Sequence, residues 1–163
     1  MSEVPEYTIV PFEEFHTTLD YNFDEKRNDY FKNRAIKDSK GRNSRVHVAI
    51  SRDAQLVGFF TLCMHKRYFV LNLRDGPATH PVALLGQLGV NEPFRGKGVG
   101  SDLVRKAINF VIEATNYVDC VGIILDTDDI LKRDNFFKKL GFYQVDYIKK
   151  KNLYVMFYPI HNL

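Results

Sequence analysis

Val90-Asn91-Glu92-Pro93-Phe94-Arg95-Gly96-Lys97-Gly98-Val99-Gly100 leaves an apolar run and opens a segment of helical periodicity. Glycines at alternate positions remove Cβ atoms where backbone N–H groups could not otherwise close around an anion, and the helix that follows adds the positive end of its dipole. A pyrophosphate fits such a cradle, although an ordinary glycine-rich turn has the same composition. Other phosphate motifs fit less well. The chain has no G-x-x-x-x-G-K-S/T, and Ser101, Asp102 and Leu103 after Gly100 break the G-x-G-x-x-G spacing of a dinucleotide fold.

Working outward, residues 82–90 read as an apolar strand, and 98–115 place Val99, Leu103, Ala107 and Val111 on one helix face. Towards the front, 7–10 reads as a strand, 12–19 as a short helix, and 24–37 as a helix with Asp24 as its cap. Strands are expected at 44–51 and 56–64, joined by a hairpin at Asp53-Ala54-Gln55, and the one long loop at 74–81, which holds Gly76, Pro77 and Pro81. Behind the motif come a buried strand at 121–125, a helix stopped at Leu140 by a left-handed Gly141, and strands at 142–148 and 153–158. That order specifies an α/β (α+β) fold with a mixed sheet.

Composition agrees with one soluble globular domain over residues 1–163, with 45% hydrophobic and 26% charged residues. At this length roughly 70% of the unfolded surface can be buried. The 13 Phe and 9 Tyr supply bulky core material. No apolar run approaches the roughly 18 residues needed to cross a bilayer. The start Met-Ser-Glu-Val-Pro-Glu is acidic where a signal peptide would be basic, so a cytoplasmic protein with no membrane partner is expected. Cys63 and Cys120 have no C-x-x-C partner, so free thiols and no metal site are expected. Net charge is +3, and basic residues gather at Arg42 and Arg45, Lys132 and Arg133, Lys138 and Lys139, and Lys149 to Lys151. Such clusters suit either a solvated surface or a phosphate-contacting face.

Arg95-Gly96-Lys97-Gly98-Val99-Gly100 resembles the Q/R-x-x-G-x-G/A signature of the GCN5-related N-acetyltransferases (GNAT superfamily), with the apolar strand before it and the helix after it. The resemblance implies a mostly antiparallel central sheet splayed after the fourth strand, helices on both faces, and acetyl-CoA as cosubstrate. It further implies that Leu88, Gly89 and Val90 face the thioester and pantetheine, and that Arg95, Gly96, Lys97, Gly98, Val99 and Gly100 hold the pyrophosphate. Asn135-Phe136-Phe137 through Gly141-Phe142 looks like the family's N-x-x-x-F-Y-x-x-x-G-F region with altered spacing, which makes Asn135 a cofactor contact.

A narrower resemblance, over about residues 20–64 and 80–158, is to bacterial aminoacyl-tRNA-acetylating toxins. It rests on Asn22-Phe23, Tyr30 to Ala35, Ser44 to Ala49, Val57 to Leu62 and Pro81 to Val90. It implies an α-amine of charged tRNA as acceptor, with tRNA, an antitoxin protein and a second copy of the chain as partners. In those toxins the strand usually reads LLGRLAV, so Gln87 replaces a basic residue and Gly89 an alanine; their F-Y dipeptide supplies a Tyr that protonates the leaving thiolate, and here that position is Phe137. Tyr143 and Tyr154 are then the candidate acids, and His47, His65 and His80 the candidate bases. The alternatives are a small-amine or protein N-acetyltransferase, and a non-catalytic acetyl-CoA-binding module. Phe137 and the absence of any Asp, Glu or His from residues 82–90 motivate the last of these.

Overall fold

The apolar runs form a seven-stranded sheet in the computed structural model, which describes residues 3–160. Met1 and Ser2 of the acidic start lie outside the described residues. The strands are β1 (Tyr7–Pro11), β2 (Arg45–Ser51), β3 (Leu56–Asn72), β4 (Gly76–Val90), β5 (Gly122–Thr127), β6 (Tyr143–Ile148) and β7 (Leu153–Pro159). Their order is β1-β2-β3-β4-β5-β7-β6. β1 with β2, β2 with β3, β5 with β7 and β6 with β7 pair antiparallel, whereas β4 and β5 pair parallel. A parallel pair needs a long crossover, and the helix Val99–Ala114 lies in it. The β4–β5 register consists of Ala83↔Ile123 and Leu84↔Ile124. It stops there, as a splay after the fourth strand requires.

Locally signalled features form as read. Asp24 caps α1 (Glu25–Asn33) by accepting the Arg27 N–H, Ala54 makes the left-handed hairpin turn at φ 63°, and Gly141 stops its helix at φ 104°. The expected loop at 74–81 does not form; the chain turns at Leu73-Arg74-Asp75 and runs on as β4 from Gly76. Pro77 and Pro81 are tolerated because the register with β5 begins only at Ala83, so an edge strand loses nothing by lacking their N–H groups.

The expected helix at 24–37 divides at Arg34 into α1 and α2 (Ala35–Lys40). A continuous helix would set Tyr30 and Asp38 roughly 12 Å apart along its axis. The break lets the Tyr30 hydroxyl donate to Asp38 at 2.9 Å. The crossover helix is α3 (Val99–Ala114), with Val99, Leu103, Ala107 and Val111 all buried as their spacing predicts. The last helix is composite: α4 (Ile130–Lys132), a π-helical turn over Arg133–Phe137 and a 3₁₀ turn over Lys138–Leu140.

The chain folds as two compact units, one built from the residues up to Cys63 with Gly86–Ala107, the other from Met64–Leu85 with the residues from Ile108 on. The first has an aromatic core of Phe12, Phe23, Tyr30, Phe31 and Phe59 with Val46, Val48 and Leu56. Phe31 meets Phe12 edge-on at 5.5 Å and Phe23 at 5.4 Å. Burying each such ring contributes about 1.5–3 kcal/mol. In the second, Phe69, Val82, Ile124, Val155 and Phe157 form the core.

Candidate active site

The first unit contains the glycine turn. At the end of β4 the Asn91 N–H donates to Val57 O at 2.9 Å, and a 3₁₀ turn over Glu92–Phe94 follows, anchored by buried Phe94. Gly96 and Gly98 then take φ of 72° and 83°, values that an L side chain adopts only under strain. A Cβ built on either would meet nothing within 4 Å, so the side of the loop left bare by these glycines is open. Gly100 is already helical, in the first turn of α3. The first N–H taken up by the α3 ladder is that of Asp102, bonded to Gly98 O at 3.1 Å. The N–H groups of Val99, Gly100 and Ser101 therefore lie ahead of the ladder, at the positive end of the dipole. Open space, unladdered donors and a helix N-terminus fit a pyrophosphate.

Along β4, Leu88 and Val90 are half-buried and Gly89 is buried. A Cβ at Gly89 would fall 2.7 Å from the Phe59 ring and 3.1 Å from that of Phe23. Those rings occupy the place that alanine takes in the toxin pattern, which accounts for the departure. Gln87 is half-buried, and its backbone N–H donates to Thr61 Oγ1 at 2.9 Å.

Arg95 is exposed but folded back, its Nε–H on Val90 O at 3.3 Å and a terminal N–H on Asn22 O at 3.1 Å. Asn91 and Asn22 organise this loop; Asn91 stands within the glycine motif and Asn22 within the toxin resemblance, but the sequence alone assigns a role to neither. An asparagine directly after a strand and before Glu-Pro is a cap signal that could have found Asn91, whose side chain accepts the Glu92 N–H at 3.0 Å. Asn22 carries no such signal.

The second unit holds the other sequence candidates. Asn135 is exposed in the π-helical turn. Phe137 is buried, edge-on to Phe136 at 4.9 Å and to Phe142 at 5.9 Å. Tyr143 packs edge-on to Phe157 at 5.7 Å, and burial pushes its phenol up, so it keeps its proton at neutral pH. The Tyr154 ring is covered by the Arg133 guanidinium at 4.4 Å and lies beside Tyr147. Arg133 and Lys138 both pair with Asp134, at 2.9 and 3.1 Å, and hold its carboxyl at about 2, the Arg133 hydrogen bond contributing most. Those two cations share the one carboxylate, which leaves the group with a net positive charge. Lys149, Lys150 and Lys151 are exposed with no ion pair among the described residues.

Of the histidines, His65 is exposed. His80 lies edge-on to Phe69 at 5.0 Å, with a buried Nε2 that has no hydrogen-bond partner among the described residues. His47 stacks on Phe60 at 4.9 Å; burial first and the Arg45 charge second lower it to about 4. Cys63 and Cys120 are free thiols, and burial pushes that of Cys120 up.

The pattern of the Acetyltransferase (GNAT) family matches residues 8–142, from β1 through the glycine turn to the end of the composite helix. The chain belongs to that family. It is similar to a tRNA-acetylating toxin of Mycobacterium tuberculosis (strain ATCC 25618 / H37Rv), 32% identical over 101 residues that cover 60% of each chain. It spans about three-fifths of the length of the curated relatives it matches. Among solved structures, AtaT complexed with acetyl-methionyl-tRNAfMet superposes with a TM-score of 0.78 at 21% identity, covering 94% of this chain and 95% of that one. A tyrosine-to-phenylalanine mutant of KacT superposes with a TM-score of 0.81 at 22% identity, covering 94% and 95%. These structural likenesses establish the fold of the GNAT chain.

Proposed function

We propose that this GNAT chain is an N-acetyltransferase that moves an acetyl group from acetyl-CoA to the α-amine of an aminoacyl-tRNA. The observation that carries the donor half is the open turn at Gly96 and Gly98, with the N–H groups of Val99, Gly100 and Ser101 ahead of the α3 ladder. The acceptor half draws on the similarity to a tRNA-acetylating toxin and on the unmatched cations Lys149–Lys151.

When bound, acetyl-CoA supplies an activated acetyl thioester. In this reading Gly96, Lys97, Gly98, Val99 and Gly100 hold its pyrophosphate through backbone donors, Leu88, Gly89 and Val90 line its pantetheine arm, and Asn135 is a further contact. Orientation of amine and thioester, worth several kcal/mol, does most of the work. A free α-amine has a pKa of about 7.7–8.0 and is appreciably neutral near pH 7.5, whereas a Lys ε-amine near 10.4 loses roughly 4 kcal/mol to deprotonation. His47, held at about 4, is too weak a base to take a proton from either. A site without a strong base suits the low-pKa amine, and Tyr143 and Tyr154 are the side chains proposed to return a proton to the thiolate.

Incubating the full chain with charged tRNA pools and labelled acetyl-CoA tests the proposal. Label is expected on charged tRNA and not on deacylated tRNA. Acetylation of a polyamine or peptide with no response to charged tRNA would instead make it a small-amine or protein N-acetyltransferase. Phe137 favours a further reading, a binding module, which acetyl-CoA binding without thiol release would establish. Among the described residues no helix is long and apolar enough to cross a membrane. A cytoplasmic site of action, an antitoxin protein and a second copy as partners, and one functional domain over 1–163 belong to the same proposal.

A further inference from the structure

In the motif reading Arg95 touches the pyrophosphate, yet two of its five guanidinium N–H groups are turned back on the loop itself. Its Nε–H and one terminal N–H bridge the carbonyls of Val90 and Asn22, and its backbone N–H donates to Glu92 O at 3.2 Å. Asn22, the residue on which it closes, is fixed from several sides. Its N–H donates to Asn91 Oδ1 at 2.8 Å, its carbonyl also accepts the Glu92 N–H at 2.9 Å, and its side chain bonds Glu92 at 2.5 Å and Asn28 of α1 at 2.9 Å.

Asn91 is buried, and its amide is fully used. The oxygen accepts from Asn22 and Glu92, and the nitrogen donates to Leu56 O at 2.7 Å and Asp20 O at 3.1 Å. A buried amide with every donor and acceptor paired has one orientation, so it acts as a fixed pivot. From that pivot the loop runs through Asn22 to the Arg95 guanidinium, directly before Gly96.

We propose that Asn91 and Arg95 are positioning residues, forming with Asn22 a clasp that sets the loop in which Gly96–Gly100 present their N–H groups, and that Arg95 acts through this loop and not on the pyrophosphate. The clasp rests on the acetyl-CoA reading of the turn. The two roles for Arg95 differ in their response to salt and to a lysine. A guanidinium on a phosphate is a charge–charge contact, screened by salt and partly replaced by an ammonium. A guanidinium bridging two neutral carbonyls is insensitive to salt, and a lysine does not reproduce the bridge.

Binding of CoA to the full chain, measured calorimetrically at low and high salt for the native protein, Arg95→Lys and Arg95→Gln, separates them. The clasp requires both variants to bind about tenfold more weakly, the loss expected from one or two hydrogen bonds, with the native salt slope retained. Near-native binding by Arg95→Lys, or a flattened salt slope in Arg95→Gln, would overturn it. Amide hydrogen exchange without ligand gives the second readout: Glu92 should exchange faster in Arg95→Lys and Asn91→Asp, and unchanged exchange in a folded Arg95→Lys would also overturn the clasp. Should the native protein fail to bind CoA while these exchange changes appear, the acetyl-CoA reading falls and the clasp stands.

Discussion

The turn from Val90 to Gly100 and the composite helix from Ile130 to Leu140 both run into a glycine, helical Gly100 in one and left-handed Gly141 in the other, but they are built from different material. The turn is made of backbone: two glycines at positive φ, three helical N–H groups ahead of their ladder, and asparagine amides that hold carbonyls in place. The composite helix is made of side chains, with the Phe136–Phe137 ring pair, the Asp134 ion pairs and the guanidinium over Tyr154. Backbone geometry depends little on neighbouring side chains, and the open turn at Gly96 and Gly98 forms with Gln87 and Gly89 in place of the toxin pattern's residues. Chemistry that depends on one hydroxyl is lost with one oxygen, and in the proposed reading Phe137 stands where the toxin pattern has its tyrosine. The two regions of one GNAT chain can therefore diverge separately.

The largest effect that would break this contrast is at Gly98. Gly98→Val forces a β-branched residue to φ 83°, with strain of about 1–3 kcal/mol if the loop keeps its shape. CoA affinity measured by calorimetry should fall by up to about 100-fold with the circular-dichroism spectrum unchanged. Retained affinity would mean that the cradle does not depend on backbone geometry.

Next in size is Gly89→Val, which drives a Cβ into a position 2.7 Å from Phe59. Thermal unfolding should show a loss of about 1–3 kcal/mol, partly relieved in the double variant with Phe59→Leu. Additivity of the two changes would show that the rings do not account for the glycine.

Phe137→Tyr addresses the other region. Turnover with charged tRNA should be kept or raised severalfold, because it restores the family's donor, while CoA affinity stays within error. A drop in turnover would remove Phe137 from the reacting centre.

The smallest effect concerns His47. Its folded pKa of about 4 lies below the usual 6.5, so the unfolded chain binds the extra proton first. Stability from His47 is complete above pH 6.5 and is lost as pH falls towards 4. His47→Phe should flatten the acid limb of the stability–pH profile between those values and leave the rate profile near pH 6.5 unchanged.

Much of this architecture could be read along the chain because it depends on neighbours in sequence. The Asp24 cap, the Ala54 turn, the Gly141 stop and the buried stripe of α3 each involve residues a few positions apart, where propensity and periodicity act directly. The two prolines at 77 and 81 misled for a related reason: they forbid a central strand, and only the late onset of the β5 register makes that stretch of β4 an edge.

Residue type and spacing were enough to specify the mixed sheet and the glycine turn, since positive φ and helix N-termini are local backbone properties. The clasp that holds the turn was decided in three dimensions. Asn22 and Asn91 are 69 residues apart, and the carbonyls of Asp20, Leu56 and Val90 that complete it come from separate stretches of the chain. A carbonyl carries no residue signature, so which one a side chain will meet is settled only when tertiary packing brings the backbones together.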